Sequence, residues 1–336
     1  MSKSMWTILP ATDFPKYKLQ WDELNERSFN SILLSSLFIA PLLEVFTQGN
    51  EKLVIHGSPE APTAMGIMAP TSFGVWETFQ PSQAPLGCWL QAEATQAEAL
   101  TKSLLKALPG VGFALGLTQQ DPLLVSQPAD SKSLQTLAYI QTAHVPVVGT
   151  FDEYWQKRGK NLRQNLRKQR NRLEREGVTT RLEKLTSAEA MKGAVTAYGQ
   201  LESSGWKSEQ NTAVDINNDQ GQFYSKMLSG FAEQGKAVVY QYFYNDDLVA
   251  TDLCIFDARM IVILKTTYDE TIKISSPAML MRQDAFEVLF AEKPVERIEF
   301  YGKVMEWHTK WSEDIRTLFH ATHYSALGKF VKAIKP

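Results

Sequence analysis

A serine, a proline and the amides that follow them offer the sharpest chemistry in the sequence. Ser276-Pro277 reads as a helix start: the hydroxyl can accept from an early amide, and proline, which has no N–H, takes the first helical position. The unpaired amides and positive dipole end of such a helix make an anion site. Just ahead of it, Tyr268, Asp269 and Glu270 close a strand-like segment, while Asp252 and Lys265 stand inside segments that are otherwise apolar. A charge inside a sheet needs a partner or a task, because desolvation disfavours the ionised form. Either the two pair across the sheet, or Lys265 faces solvent, or one of them acts in the site.

A second candidate is cationic. Between residues 157 and 175, nine bases stand against one acid, Glu174. Leu162, Leu166 and Leu173 fall near one helical face, with Arg163, Arg167 and Arg170 beside them at spacings of four and three. Such a face is either a solvated surface or a holder for a phosphate-bearing acceptor, a nucleotide-linked sugar or RNA.

The elements that must position these residues follow from periodicity and turn chemistry. In the second half, a basic helical run from Phe151 to Gly177 comes first. Ala237 to Tyr244, Leu248 to Phe256 and Met260 to Thr267 then read as an antiparallel meander turned at Asn245-Asp246-Asp247 and Asp257-Ala258-Arg259. A helix from Pro277 to about Ala291 follows, then a strand at Arg297 to Tyr301, a short helix near Met305 to Asp314 and a strand at Arg316 to Tyr324. The first half predicts helices near Asp22 to Arg27, Ile32 to Phe46 and Gln96 to Leu108. Strands are expected at Lys52 to His56, Ala64 to Met68 and Gly112 to Leu117, with Pro-interrupted aromatic segments between. The stretch from Ile140 to Thr150 looks like a crossing strand or linker, which puts the domain boundary there: residues 1–145 and 146–336.

Size and composition agree with two folded domains. The chain has 336 residues, 44% hydrophobic and 21% charged, which is ample core and no sign of disorder. Its net charge of -2 hides an acidic first half and the basic run, so the local patch says more about partners than the total. Cys88 and Cys254 sit apart among apolar neighbours and read as buried fillers, which fits a reducing cytoplasm. The start lacks the apolar core of a secretory signal. The longest apolar-rich run, Phe29 to Leu43, is shorter than the ~20 residues a spanning helix needs, so no transmembrane segment is expected. Gly110, Gly112 and Gly116 follow a helix and enter a strand, the reverse of a dinucleotide-binding loop. His320 and His323, three apart on a strand, point to opposite faces and argue against a metal site.

The order of parts in the second half resembles the acyl-CoA N-acyltransferase (GNAT) fold, within it the CelD/BcsL-like subfamily of acetyltransferases, with a more distant likeness to FemX-type transferases. The residues that carry the resemblance are Glu202, Trp206 and Lys207 in Glu-x-x-x-Trp-Lys, the Ser275-Ser276-Pro277 helix start, and the closing Lys310-Trp311. Two positions depart from the pattern: Ala278 stands where glycine is usual, and His308 where lysine is. What the resemblance implies is a mixed α/β fold of tandem GNAT-like domains, the first degenerate. It also implies an acyltransferase that draws on acetyl-CoA or another acyl-CoA and needs no metal. The helix tip of Ser275, Ser276, Pro277, Ala278 and Met279, together with Arg282, would receive the coenzyme A pyrophosphate. Tyr268 would protonate the departing thiolate, and Asp269 or Glu202 would take the proton of the acceptor amine. Trp206, Lys207, Arg163, Arg167, Lys265, Lys310 and Trp311 would face the acceptor, a small-molecule or sugar-linked amine in polysaccharide or cell-envelope precursor modification. No DNA partner is expected. Two alternatives share the fold: an aminoacyl transferase that draws on charged tRNA, and a non-catalytic scaffold.

Overall fold

The structure, a computed structural model, describes residues 5–92, 96–203 and 214–334. Two compact units emerge: residues 1–141 with 316–336, and residues 142–315. In chain order the first half runs β1 (Trp6–Pro10), α1 (Lys18–Glu26), α2 (Ser36–Phe46), β2 (Lys52–Ser58), β3 (Ala61–Ser72), β4 (Val75–Thr78), β5 (Trp89–Gln91), α3 (Ala97–Ala107), β6 (Ala114–Gln120) and β7 (Leu134–Pro146). The second half runs α4 (Phe151–Gln156), α5 (Lys160–Arg175), β8 (Thr180–Leu185), α6 (Ala188–Ser203), α7 (Asp219–Glu233), β9 (Ala237–Tyr244), β10 (Asp247–Phe256) and β11 (Met260–Tyr268). It closes with α8 (Pro277–Glu292), β12 (Arg297–Glu299), α9 (Glu306–Thr309), β13 (Asp314–Tyr324) and α10 (Ala326–Ile334).

In unit 2 the expected meander is present as β9, β10 and β11, antiparallel throughout, with β8 added antiparallel to β9. β12 then lies parallel to the start of β11, and the end of β7 lies antiparallel to β12. Parallel pairing requires a crossover, and α8 supplies it. Side chains alternate along β9. Val238, Tyr240, Tyr242 and Tyr244 join a core with Leu162, Leu166 and Leu173 of α5 and Leu280, Met281, Phe286 and Leu289 of α8, while α6 and α7 contact the sheet too and pack on each other. The three leucines of the basic helix are its buried stripe, as their spacing predicts.

Unit 1 repeats this order. β1, β2, β3 and β4 form an antiparallel meander, β6 lies parallel to β4 with α3 as the crossover, and β13 closes antiparallel to β6. The repeated order makes the chain a tandem arrangement of GNAT-like halves in a mixed α/β fold. The residues 316–336 belong to unit 1, whereas the sequence reading assigns them to the second domain. Alternation marks a strand but does not name the sheet it joins, so this routing could not be read locally.

Other differences are local. Of the two expectations for 140–150, a crossing strand or a linker, the strand holds for most of it: β7 continues to Pro146, and Val147 N–H still bonds Glu296 C=O. Gly149 then turns the chain at φ +75, and Thr150 starts α4 with a reciprocal cap, its hydroxyl on Glu153 N–H and the Glu153 carboxylate on its own N–H. The basic run is two helices, not one, parted around Gly159. β1 went unforeseen.

Candidate functional site

The site is built where β11 outlasts β12. β12 pairs only with Met260, Ile261 and Val262, yet β11 continues to Tyr268. Past Val262 its outer edge is therefore free of β12. One extra residue, Leu264, is accommodated in β11 against β10 just beyond that point, because Leu253 opposes Lys265 while Cys254 opposes Ile263. Such a bulge bends a strand and raises its twist, which parts the sheet where the partner strand ends.

The same register separates buried Asp252 from half-buried Lys265. Asp252 opposes Thr266 and Leu253 opposes Lys265, so adjacent positions put Asp252 and Lys265 on opposite faces and they do not pair across the sheet. Asp252 pairs instead with Arg282 of α8, at 3.2 Å, with both side chains 2% exposed. The same guanidinium donates to Thr266 Oγ1 at 3.0 Å and lies 4.7 Å from the Trp307 ring centre and 5.6 Å from that of Phe300. Its Nε is buried without a hydrogen-bond partner. Arg282, expected to bind cofactor, thus holds α8 to the sheet through a buried ion pair, and the desolvated carboxylate explains why a cation sits there.

On the other face, Lys265 Nζ reaches Gln220 Oε1 at 3.4 Å and stands 5.8 Å from the Tyr224 ring centre. Glu202, 4% exposed at the end of α6, accepts from Val214 N–H at 2.7 Å and from Tyr198 Oη at 3.3 Å. Tyr198 also lies 3.2 Å from Thr266 C=O, so α6 is bonded to β11 near its free end. Burial, with Glu202 beside it, keeps the Tyr198 phenol protonated well past its ordinary range. Glu202 and Lys265 therefore share one neighbourhood, while the tip of α8 is packed with the basic helix. Trp206 and Lys207 lie outside the described residues.

At the tip of α8, Ser276 N–H donates to Gln169 Oε1 of α5 at 2.8 Å, and Ser275 Oγ is 2.8 Å from Tyr244 Oη. Met279 and Leu280 N–H both bond Ser276 C=O. The Ser276 hydroxyl makes no cap bond. Among the described residues, Ala278 N–H has no hydrogen-bond acceptor, and proline has no N–H to offer. Ser275, Pro277 and Ala278 are buried and Ser276 is half-buried. Arg170 anchors α5 on α8: it pairs with Asp284, donates to Gln283 Oε1 at 3.1 Å, and Asp284 in turn accepts from Tyr242 Oη at 2.9 Å. Burial and the Asp284 charge push the Tyr242 phenol up to about 12.

The remaining expected residues scatter. Tyr268 is exposed at the end of β11, and the Asp269 carboxylate organises the following turn by accepting from Thr271 N–H at 2.8 Å and Thr271 Oγ1 at 2.7 Å. Arg163 folds back onto Arg158 C=O and Gln156, whereas Arg167 is exposed with no ion pair among the described residues. Lys310 pairs with Glu306 at the surface. Trp311 is 0% exposed, packed on Trp155 and Phe286, and its carbonyl accepts from Tyr154 Oη at 2.6 Å; its place is in the core. His308 is also buried, with Nδ1 accepting from Met305 N–H at 2.9 Å. Burial and the Arg282 charge hold it down at about 4, so it is neutral at pH 7. Tyr198, Gln169 and Asp284 carry no signal in the sequence: each is an ordinary helix residue until a neighbouring element arrives.

Comparison with known proteins agrees with the fold. Residues 160–309 match the family model of the acetyltransferase (GNAT) domain. The second unit is thus similar, over most of its length, to a GNAT domain. Solved structures extend the fold likeness to the whole chain. FemX aligns with a TM-score of 0.59 at 10% identity, covering 95% of this chain and 98% of that one. The C-terminal domain of a putative lysylphosphatidylglycerol synthetase from Agrobacterium fabrum aligns with a TM-score of 0.58 at 14% identity, covering 95% of each. A protein of unknown function from Bacteroides thetaiotaomicron gives 0.56 at 9% identity, covering 95% and 99%. No curated protein matches by sequence. Among the described residues there is no group of side chains that could hold a metal ion, and no helix long and apolar enough to cross a membrane.

Proposed function

We propose that the second, GNAT-like unit transfers an acyl group, in the first instance acetyl, from coenzyme A to an amine on a polysaccharide or cell-envelope precursor, in the manner of the CelD/BcsL-like subfamily, in the cytoplasm. The observations that carry this reading are the edge of β11 that runs on past β12 and the proline-led tip of α8, the helix that follows it. A thioester donor brings an amide-bearing arm and a diphosphate. The free edge of β11 beyond Val262 suits the arm, and the amides of Ser276 and Ala278 suit the diphosphate. One donor, Ala278 N–H, has no acceptor among the described residues, and the other is held by the Gln169 side chain, which an anion can displace. The donor supplies an activated carbonyl, and the rest falls to the protein.

Tyr268, at the mouth of the parted sheet, protonates the departing thiolate. Glu202, joined through Tyr198 to β11 near its end, takes the proton of the acceptor amine, whereas the Asp269 carboxylate organises a turn. Arg167 supplies an unpaired charge for the acceptor's phosphate. The test is acetyl-CoA turnover with a panel of amino sugars, read as thiol release. Tyr268→Phe and Glu202→Gln should each lower kcat by about 10²-fold or more with little change in KM for the donor. Turnover unchanged in both variants would remove these assignments.

A second reading, aminoacyl transfer from tRNA, is favoured by the whole-chain fold likeness to FemX and by the exposed cations of α5. Under it, tRNA binds with steep salt dependence while acetyl-CoA does not bind.

A further inference from the structure

Unit 1 contains a basic concavity that acyl transfer does not use. It has a volume of about 490 Å³, within the ~300–1,000 Å³ range of small-molecule sites, and is lined by Lys102, Lys106, Gly110, His323 and Lys329 among others. We propose that this cavity, between α3 and α10, is a binding site for a phosphate-bearing ligand, with Lys102, Lys106, Lys329 and His323 as its recognition groups.

Lys102 and Lys106 stand one turn apart on α3, and Lys329 comes from α10. None of the three forms an ion pair among the described residues. Three like charges around one concavity repel each other, and an anion relieves that repulsion. The independent sign of a ligand is His323. It lines the same cavity, it is only 4% exposed, and its Nδ1 is buried without a hydrogen-bond partner. A buried polar atom left unpaired in a folded protein calls for an occupant. Glu98 is the carboxylate whose charge reaches His323, and it is itself engaged, accepting from Ser131 Oγ at 2.7 Å and from Ser133 Oγ. Burial and the three lysines lower the proton affinity of His323 while Glu98 raises it, with burial the largest effect. An imidazole N–H can donate to an anion in the cavity.

The ligand has two possible sources, a soluble phosphate compound or the headgroup of an anionic lipid. Lipid is a physical option because Val111, Leu327 and Phe330, neighbours in sequence to the lining residues, are exposed by 51%, 52% and 63%.

The test uses the full chain. Inorganic pyrophosphate is titrated by calorimetry, and phosphatidylcholine vesicles with and without phosphatidylglycerol are floated with the protein. The proposal expects binding in at least one arm, weakened by about tenfold or more in the Lys102→Ala/Lys106→Ala/Lys329→Ala variant, a change of ~1.4 kcal/mol. Because these lysines are exposed, the variant should melt like wild type. His323→Gln should weaken the same probe on its own. Pyrophosphate binding alone identifies a soluble ligand, and flotation that needs phosphatidylglycerol and is lost in Phe330→Ser identifies a headgroup. The proposal is overturned if neither probe binds, or if the triple variant binds as wild type does.

Discussion

His308 connects a single proton to the stability of unit 2. Its folded value of about 4 lies below the 6.5 of an exposed imidazole, so between those two values the unfolded chain binds a proton that the folded chain refuses. Its contribution is complete above pH 6.5 and is lost as pH falls towards 4, by roughly 3 kcal/mol at most. Urea unfolding at pH 7 and pH 5 should show wild type losing more stability than His308→Gln; equal losses would mean the imidazole is not held neutral. A second change at this scale is Asp252→Ala, which strands the buried Arg282 guanidinium and should cost about 3–5 kcal/mol, measured by the same unfolding experiment. Chemistry alone could flag Asp252 and Lys265 as charges needing partners. It could not say that one finds Arg282 and the other Gln220, because a one-position offset in register decides the face.

Among the elements, α8 announced its own start in the sequence. Ser276-Pro277 marks its start, and the helix does begin at Pro277. What stands on its tip was not legible, since the Gln169 that occupies Ser276 N–H arrives with α5 from more than a hundred residues away. Two substitutions follow. Under the proposed diphosphate site, Ala278→Gly removes a methyl from the helix tip, and Gln169→Ala releases an amide donor. Each should tighten acetyl-CoA binding several-fold, by about 0.5–1.5 kcal/mol for one better-made hydrogen bond, measured by calorimetry. Unchanged affinity in both would place the diphosphate elsewhere. The basic helix α5 shows the same division. Its leucine stripe and cationic face are visible in its spacing, while the commitment of Arg170 to Asp284, which leaves Arg167 as a freer cation, depends on where α8 lies.

For the whole molecule, the relevant measurement is linkage. Acetyl-CoA at about a hundred times its dissociation constant should stabilise the fold by about 2.7 kcal/mol, visible as a raised melting temperature. Flat melting curves with every acyl-CoA, together with salt-sensitive tRNA binding, would transfer the protein to the aminoacyl reading. The tandem plan also predicts that truncation at residue 315 damages unit 1 rather than unit 2. β13 closes the unit 1 sheet against β6, and Arg316 pairs with the buried Asp121 there.

By itself the amino-acid sequence determined the meander of unit 2, the crossover helix with its proline start, the buried leucines of the basic helix and the likeness to GNAT enzymes, because each is written in periods of two or 3.6 residues or in a short run of side chains. Only the tertiary structure decided that the C-terminal strand serves unit 1, that Trp311 and Arg282 are spent on the core, and that Gln169 sits on the helix tip. Those outcomes depend on contacts between residues distant in the chain, and such contacts leave no local period to read.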